Sequence, residues 1–425
     1  MSWSACALAR SPASGPAHVD HAQAGNPVTS MDSRRDIVLA VANPLDPPVM
    51  HAGSSLLGYT PSGIYGAGQR AASTLAALQR NYRWRQVTGW PIKSLDLYCI
   101  VLEPPAGMSR EALLAALARD GRVRLAEPLQ DFSVYSEQPG HTHAARRYND
   151  PYADLQLGFV ETDAARAQAF TQGAGVDIAV VDTGADVEHP DLRGQIHDVH
   201  NLVDDSASAF DRDQHGTEVA GIIAAIADNH RGIVGIAPRA TLSIFKACWY
   251  PPDSEGGARC NSFTLAKALA AVMDTNARIV NLSLGGPPDP LLSGLLRRLL
   301  DQNRIVIAAM PDDGNLGGFP DDVPGVIVVR SGRDSVDPPG VLSAPGRDIL
   351  TTQPDGGYDF TSGSSMAAAH VSGIAALLVS MSPRLDARAI HDLLMRSSKV
   401  VDGTLEVNAA AAVSALRGSQ RSRHE

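Results

Sequence analysis

Apolar positions follow no period over residues 1–35, a stretch rich in Ala, Ser, Gly and Pro, and become regular only from Asp36. DIVLAVA at 36–42 reads as a strand, and residues 71–82 carry apolar side chains at helical spacing. SLDLYCIVL at 94–102 alternates as a strand does, and Ser109 is placed to cap a helix through SREALLAALARDG that Gly121 ends. A further strand is expected at 123–134, giving a small α+β domain over 36–135. The next segment, SEQPGHTHAARRYN at 136–149, is polar and contains the pair Arg146-Arg147, so it suits either a plain linker or a cleavable one. From 150 to 417, apolar runs at 176–181, 278–284, 304–310 and 326–329 alternate with helical patterns at 216–227, 263–276, 290–302, 366–379 and 387–397. That alternation predicts an α/β domain, a mostly parallel sheet covered by helices on both faces. A site is then expected at the carboxyl ends of its strands. Residues 418–425 read as a short tail.

Charge refines this division. The 425 residues carry a net charge of −10, and 34 acidic against 20 basic side chains concentrate the acidity in 150–417. Such a balance argues against a nucleic-acid partner, which would call for a basic face. No run of 18 apolar residues occurs, so no transmembrane segment is expected. Residues 1–35 lack the basic start and apolar stretch of a secretory signal, and read as disordered or as a targeting leader of another kind. Four cysteines are too few for a disulfide-dense scaffold.

Three junctions between apolar runs and helices carry the chemistry. Val180-Val181-Asp182-Thr183-Gly184 delivers an Asp at the end of a strand. Asp213-Gln214-His215-Gly216-Thr217 opens a helix with a His, and Gly363-Ser364-Ser365-Met366-Ala367 opens another with a Ser. Singly, each has a bland reading as a turn Asp, a structural His or a helix cap. Jointly they supply a hydroxyl, a base for its proton and a carboxylate to orient the base, which is what nucleophilic acyl transfer requires. A Ser at a helix start also brings backbone N–H groups toward a developing oxyanion.

In the order Asp, His, Ser, and in the blocks VDTGADVEHPDL (181–192), HGTEVAGIIAA (215–225), GIVGIAP (232–238), NLSLGGP (281–287) and GSSMAAAHVSG (363–373), the chain resembles the subtilisin-like serine proteases, or subtilases. The resemblance spans about 150–417. It implies a subtilisin-like three-layer domain and an endopeptidase acting on protein or peptide without a catalytic cofactor. Asp182 would orient, His215 would serve as base and then acid, and Ser365 as nucleophile. Ser283, Leu284 and Gly285 would line the cleft and pair with the substrate as an added strand. Residues 36–135 resemble the family's inhibitory prodomain in pattern, and its tail, 131–137, would lie in the cleft until cleavage within 136–149. A secreted or periplasmic location follows from the same likeness.

The chain departs from the family where the oxyanion donor is expected. RIVIAAMPDDG (304–314) puts Asp312 at the usual Asn position, and an ionised Asp accepts but cannot donate. A buried, protonated Asp312 could donate, Asn315 could substitute, or the protein could be a peptide-binding pseudoprotease. An esterase with the same triad is a further alternative. Asp191 and Asn229 match positions that hold a structural calcium in many subtilases, the alternative being a solvated surface turn. Cys248 and Cys260 bracket an insertion and are either a disulfide or two buried thiols, while Cys99 falls in a strand core.

Overall fold

The strands of the larger domain are apolar on both sides because both sides are covered. The computed structural model describes residues 31–44, 67–134, 148–204, 210, 213–251, 257–311, 313–332, 338–401 and 404–421. Seven parallel strands lie in the order Leu342–Ala344, Ile327–Ser331, Ile305–Ala309, Ile279–Leu282, Asp177–Asp182, Thr241–Lys246 and Ile196–Asn201. Successive side chains of the central strand alternate between two cores, Ile178 and Val180 on one face and Ala179 and Val181 on the other. The first face packs against helices Gln214–Ala224 and Ser364–Met381, the second against Ser262–Met273 and Pro290–Asp301. Ser364–Met381 is apolar and long enough to cross a membrane by composition, but 89 % of it is buried as a core helix. The fold is the expected α/β arrangement of three layers.

The N-terminal region forms a four-stranded antiparallel sheet, ordered Arg85–Ile92, Leu97–Glu103, Ile37–Ala42 and Val123–Pro128. Leu75, Leu78, Leu113 and Leu117 from helices Gln69–Tyr82 and Arg110–Leu117 cover one face. Ser109 caps the second helix, accepting the Ala112 N–H at 3.2 Å. The opposite face, with Val38, Ala40, Cys99 and Val101, shares a core with helices Ser262–Met273 and Pro290–Asp301. The two regions thus meet through the outer helical layer of the larger one.

Several expectations need correction. The single strand expected at 123–134 is two, Val123–Pro128 and Asp131–Val134, and they belong to different sheets. Pro128 has no N–H to continue the ladder. The Leu129 N–H instead bonds Asp36 O at 3.0 Å, and Gln130 N bonds Ser262 Oγ at 3.2 Å, which turns the chain onto the larger domain. Strand Arg85–Ile92 was not anticipated because Gly89 and Pro91 interrupt its pattern, nor was Ile196–Asn201, a polar edge. The expected boundary at 417 falls inside a helix, Ala409–Arg421.

Candidate active site

Asp182 ends its strand, fully buried, and Oδ1 accepts from Thr183 N at 2.7 Å and from His215 Nδ1 at 2.8 Å. His215 is the second residue of helix Gln214–Ala224, so its position depends on how that helix start sits against the loop after Asp182. The neighbouring residues of the two motifs hold the two segments together. Gly216 N donates to Thr183 Oγ1 at 3.1 Å, and Asp186 N to Thr217 Oγ1 at 2.9 Å. A Cβ on Gly216 would lie 1.9 Å from Gly184 O, so only glycine permits this approach. Beneath the loop, Lys246 Nζ donates to Thr183 O at 2.5 Å and pairs with Asp213, both groups buried. Lys246 stands opposite Asp182 in the sheet and so ties the strand end to the start of the His215 helix.

Burial alone would lower the His215 pKa, but the Asp182 carboxylate, with Glu218 beyond it, outweighs that loss and holds it above its ordinary value. Ser365 is the second residue of Ser364–Met381 and fully buried. Its Oγ donates to Ser283 O at 3.0 Å. His215 Nε2 has no hydrogen-bond partner among the described residues, so the hydroxyl faces the cleft strand and the Ser365–His215 bond is not closed. Ser283 Oγ bonds Asn281 Oδ1 at 3.0 Å and Ser365 O at 3.2 Å, and Asn281 Nδ2 bonds Ser372 Oγ at 3.0 Å. This chain of bonds fixes the Ser365 helix against the cleft wall.

Leu284–Gly285 does receive an added strand. Asp131–Val134 runs antiparallel between it and Arg259–Asn261, with Val134 opposite Leu284, Ser133 opposite Gly285 and Phe132 opposite Cys260. Phe132 is buried edge-on against Phe319 at 5.4 Å between centroids, and a Cβ on Gly286 would come within 2.2 Å of its ring. Cys248 and Cys260 form a disulfide across strands Cys248–Trp249 and Arg259–Asn261, bracing the far side of this cleft. Cys99 is a buried free thiol, pushed up to about 12 by burial.

Asp312 lies outside the described residues. Asn315 is exposed, and both its Nδ2 and its N–H bond Asp313 at 3.0 Å, so it is turned to its own loop. Asp191 and Asn229 do come together, but their oxygens face N–H donors. Asp191 accepts from Asn229 Nδ2 at 2.8 Å and Ile233 N at 2.9 Å, and Asn229 Oδ1 from Arg231 N at 2.8 Å. Asp150, not anticipated, reaches the same loop and accepts the Asp228 and Asn229 N–H groups at 2.8 and 3.2 Å. A calcium ion takes about six to eight oxygens. Among the described residues no three His, Cys, Asp or Glu side chains are grouped to hold a metal, and the side-chain oxygens of Asp191 and Asn229 accept these N–H groups. Thr183, Gly216 and Lys246 were missed as site residues. The first two sit inside the recognised blocks, and a lysine ending an apolar strand was the available signal for the third.

Comparison with known proteins agrees with this architecture. Residues 173–413 match the model of the subtilase family. A thermophilic serine proteinase of Bacillus sp. (strain AK1) is 34 % identical over 282 residues, 64 % of this chain and 66 % of that one. Thermitase of Thermoactinomyces vulgaris is 31 % identical over 285 residues, 64 % of this chain and 99 % of that one. The crystal structure of fervidolysin from Fervidobacterium pennivorans, a keratinolytic enzyme related to subtilisin, superimposes with a TM-score of 0.70 at 22 % identity, covering 89 % of this chain and 61 % of that one, a likeness of fold. The chain is a serine-type endopeptidase of the subtilase family.

Proposed function

We propose that Asp182, His215 and Ser365 carry out the hydrolysis and that residues 36–135 inhibit it until the chain is processed within 136–149. The observation that carries this reading is the Asp182–His215 bond at 2.8 Å beside a Ser365 hydroxyl directed at the strand that pairs with Asp131–Val134. Rotation of Ser365 Oγ toward His215 Nε2 lets the imidazole take its proton as oxygen attacks a peptide carbonyl. The imidazolium then protonates the departing amine, and water repeats the sequence on the acyl ester with His215 again as base. Asp182 keeps Nδ1 protonated and stabilises the imidazolium. The helix start at Ser364–Met381 supplies N–H donors to the oxyanion.

A substrate would occupy the place of Asp131–Val134, its backbone paired with Leu284–Gly285 and its side chains sorted by the surrounding pockets. With that strand in place no substrate can enter, which supports the inhibitory role. The disulfide supports an exported protein. A fluorophosphonate probe should label the wild type and not Ser365→Ala, and the wild type alone should release a fragment near the size of residues 150–425. Absence of labelling would favour a peptide-binding pseudoprotease, and turnover of esters without amides would favour an esterase.

A further inference from the structure

We infer that Glu127 and Asp289 form a proton-binding pair at the contact between the two domains, which holds the N-terminal domain most tightly at acid pH and loosens its hold progressively as pH rises. The inference rests on the inhibitory reading of residues 36–135. Glu127 lies on strand Val123–Pro128 and is only 5 % exposed. Both its carboxyl oxygens are buried without a hydrogen-bond partner among the described residues. Facing it across the contact is the Asp289 carboxylate, fully buried at the start of helix Pro290–Asp301. Asp289 Oδ1 accepts the Leu292 N–H at 2.9 Å, and Oδ2 accepts the Ser262 hydroxyl at 2.6 Å. Ser262 Oγ in turn accepts the Gln130 N–H, and Gln130 Nε2 reaches Pro288 O at 2.6 Å, so this is the seam along which the domains are joined.

Two carboxyl groups facing each other in a buried seam cannot both be ionised cheaply, and one proton between them removes the conflict. Asp289 is committed to donors from its own helix and from Ser262, which leaves Glu127 as the group that carries the proton. The other groups bearing on Glu127 are the Leu291 N–H, which favours the charged form and so opposes the shift, and the Cys99 thiol on its own sheet. Asp322, bonded to Ser293 on the same helix, adds negative charge near Asp289. Burial first, and then Asp289, push the Glu127 carboxyl up to about 9. In a separated N-terminal domain this face meets water, where an ordinary Glu titrates near 4.3. The docked value is the raised one, so the contact is complete below about 4.3 and is lost as pH rises through about 9. Between those limits each pH unit weakens docking by up to about tenfold.

The test uses the full chain as wild type, Glu127→Gln and Asp289→Asn. Asn also caps helices well, and Gln keeps the Glu shape, so each change removes one charge with little disturbance. After self-processing at pH 6, the proteins are moved to pH 6, 7.5 and 9. Co-elution of the N-terminal fragment is measured by size exclusion, and peptide hydrolysis is normalised to fully activated enzyme at the same pH. Wild type should lose its fragment and its latency steeply, with fragment affinity falling at least tenfold from pH 6 to 9, while Glu127→Gln changes little and Asp289→Asn, which keeps the buried Glu127 but not its charged neighbour, changes less than wild type. Variants that follow the wild-type pH dependence would overturn the pair while leaving the inhibitory reading intact. No latency in any protein at any pH would overturn both.

Discussion

At the level of single residues, the site consists of a strand end and two helix starts held in register by side chains that do no chemistry. Thr183 and Thr217 each accept a backbone N–H from the other segment, from Gly216 and Asp186, which joins the Asp182 loop to the His215 helix, and Gly216 allows the close approach. Because Asp182 outweighs burial at His215, the acid limb of kcat/KM should lie above the pH of an ordinary histidine, near 6.5. The sign follows from the base role: below that limb His215 is protonated and cannot accept the Ser365 proton. Replacing Asp182 with Asn should move the limb down and reduce kcat by about 10⁴, as measured in a pH–rate series. Asp312 is the second site of interest. An Asp that must donate loses that ability once ionised, so Asp312→Asn should raise kcat at neutral and alkaline pH by as much as about 10²–10³. An unchanged pH–kcat profile would show that Asp312 does not face the oxyanion. The motifs made the Asp182–His215 pairing legible, since each block couples its polar residue to the small residues that its neighbour requires. A lysine ending an apolar strand marks Lys246 as unusual, but its partners were not legible, because Thr183 and Asp213 are far away in sequence and meet it only in the fold.

At the scale of elements, the cleft is a four-stranded antiparallel sheet, Leu284–Gly285, Asp131–Val134, Arg259–Asn261 and Cys248–Trp249, assembled from segments scattered over the chain. Its outer strands, Leu284–Gly285 and Cys248–Trp249, are two residues long, too short to be held by their own hydrogen bonds. The Cys248–Cys260 disulfide, closing a span of 12 residues, supplies what the short strands cannot. Replacing both cysteines with Ser, in a Ser365→Ala background that prevents self-digestion, should cost about 2–3 kcal/mol and lower the thermal midpoint. In the active enzyme the same change should raise KM for extended peptides more than it lowers kcat. Equal stability and equal KM would mean that the strand is held by its packing alone. Five helices of the larger domain were legible from their apolar spacing, with Pro290–Asp301 and Ala387–Ser397 within a residue of expectation, whereas Ala409–Arg421 was not. The edge strand Ile196–Asn201 was not, because an edge presents polar residues whose strand character comes from the neighbour it pairs with.

For the whole molecule, the uneven charge acquires a structural meaning. An acidic 150–417 is docked against a mildly basic N-terminal region, so long-range attraction favours encounter while the seam itself contains the like-charged pair Glu127 and Asp289. The two effects have different consequences, the first depending on salt and the second on pH. Taken alone, the sequence determined the α/β class and the family, and it marked the N-terminal region and the Asp182, His215 and Ser365 blocks on which the proposed mechanism rests. Each of those is written in local periodicity or in short blocks whose residues act on near neighbours. The tertiary structure alone decided that the strand after Pro128 leaves its sheet to fill the cleft, that Lys246 meets Asp213, and that Glu127 is buried against Asp289. These depend on distant segments excluding water from one another, and burial of that kind leaves no pattern along the chain.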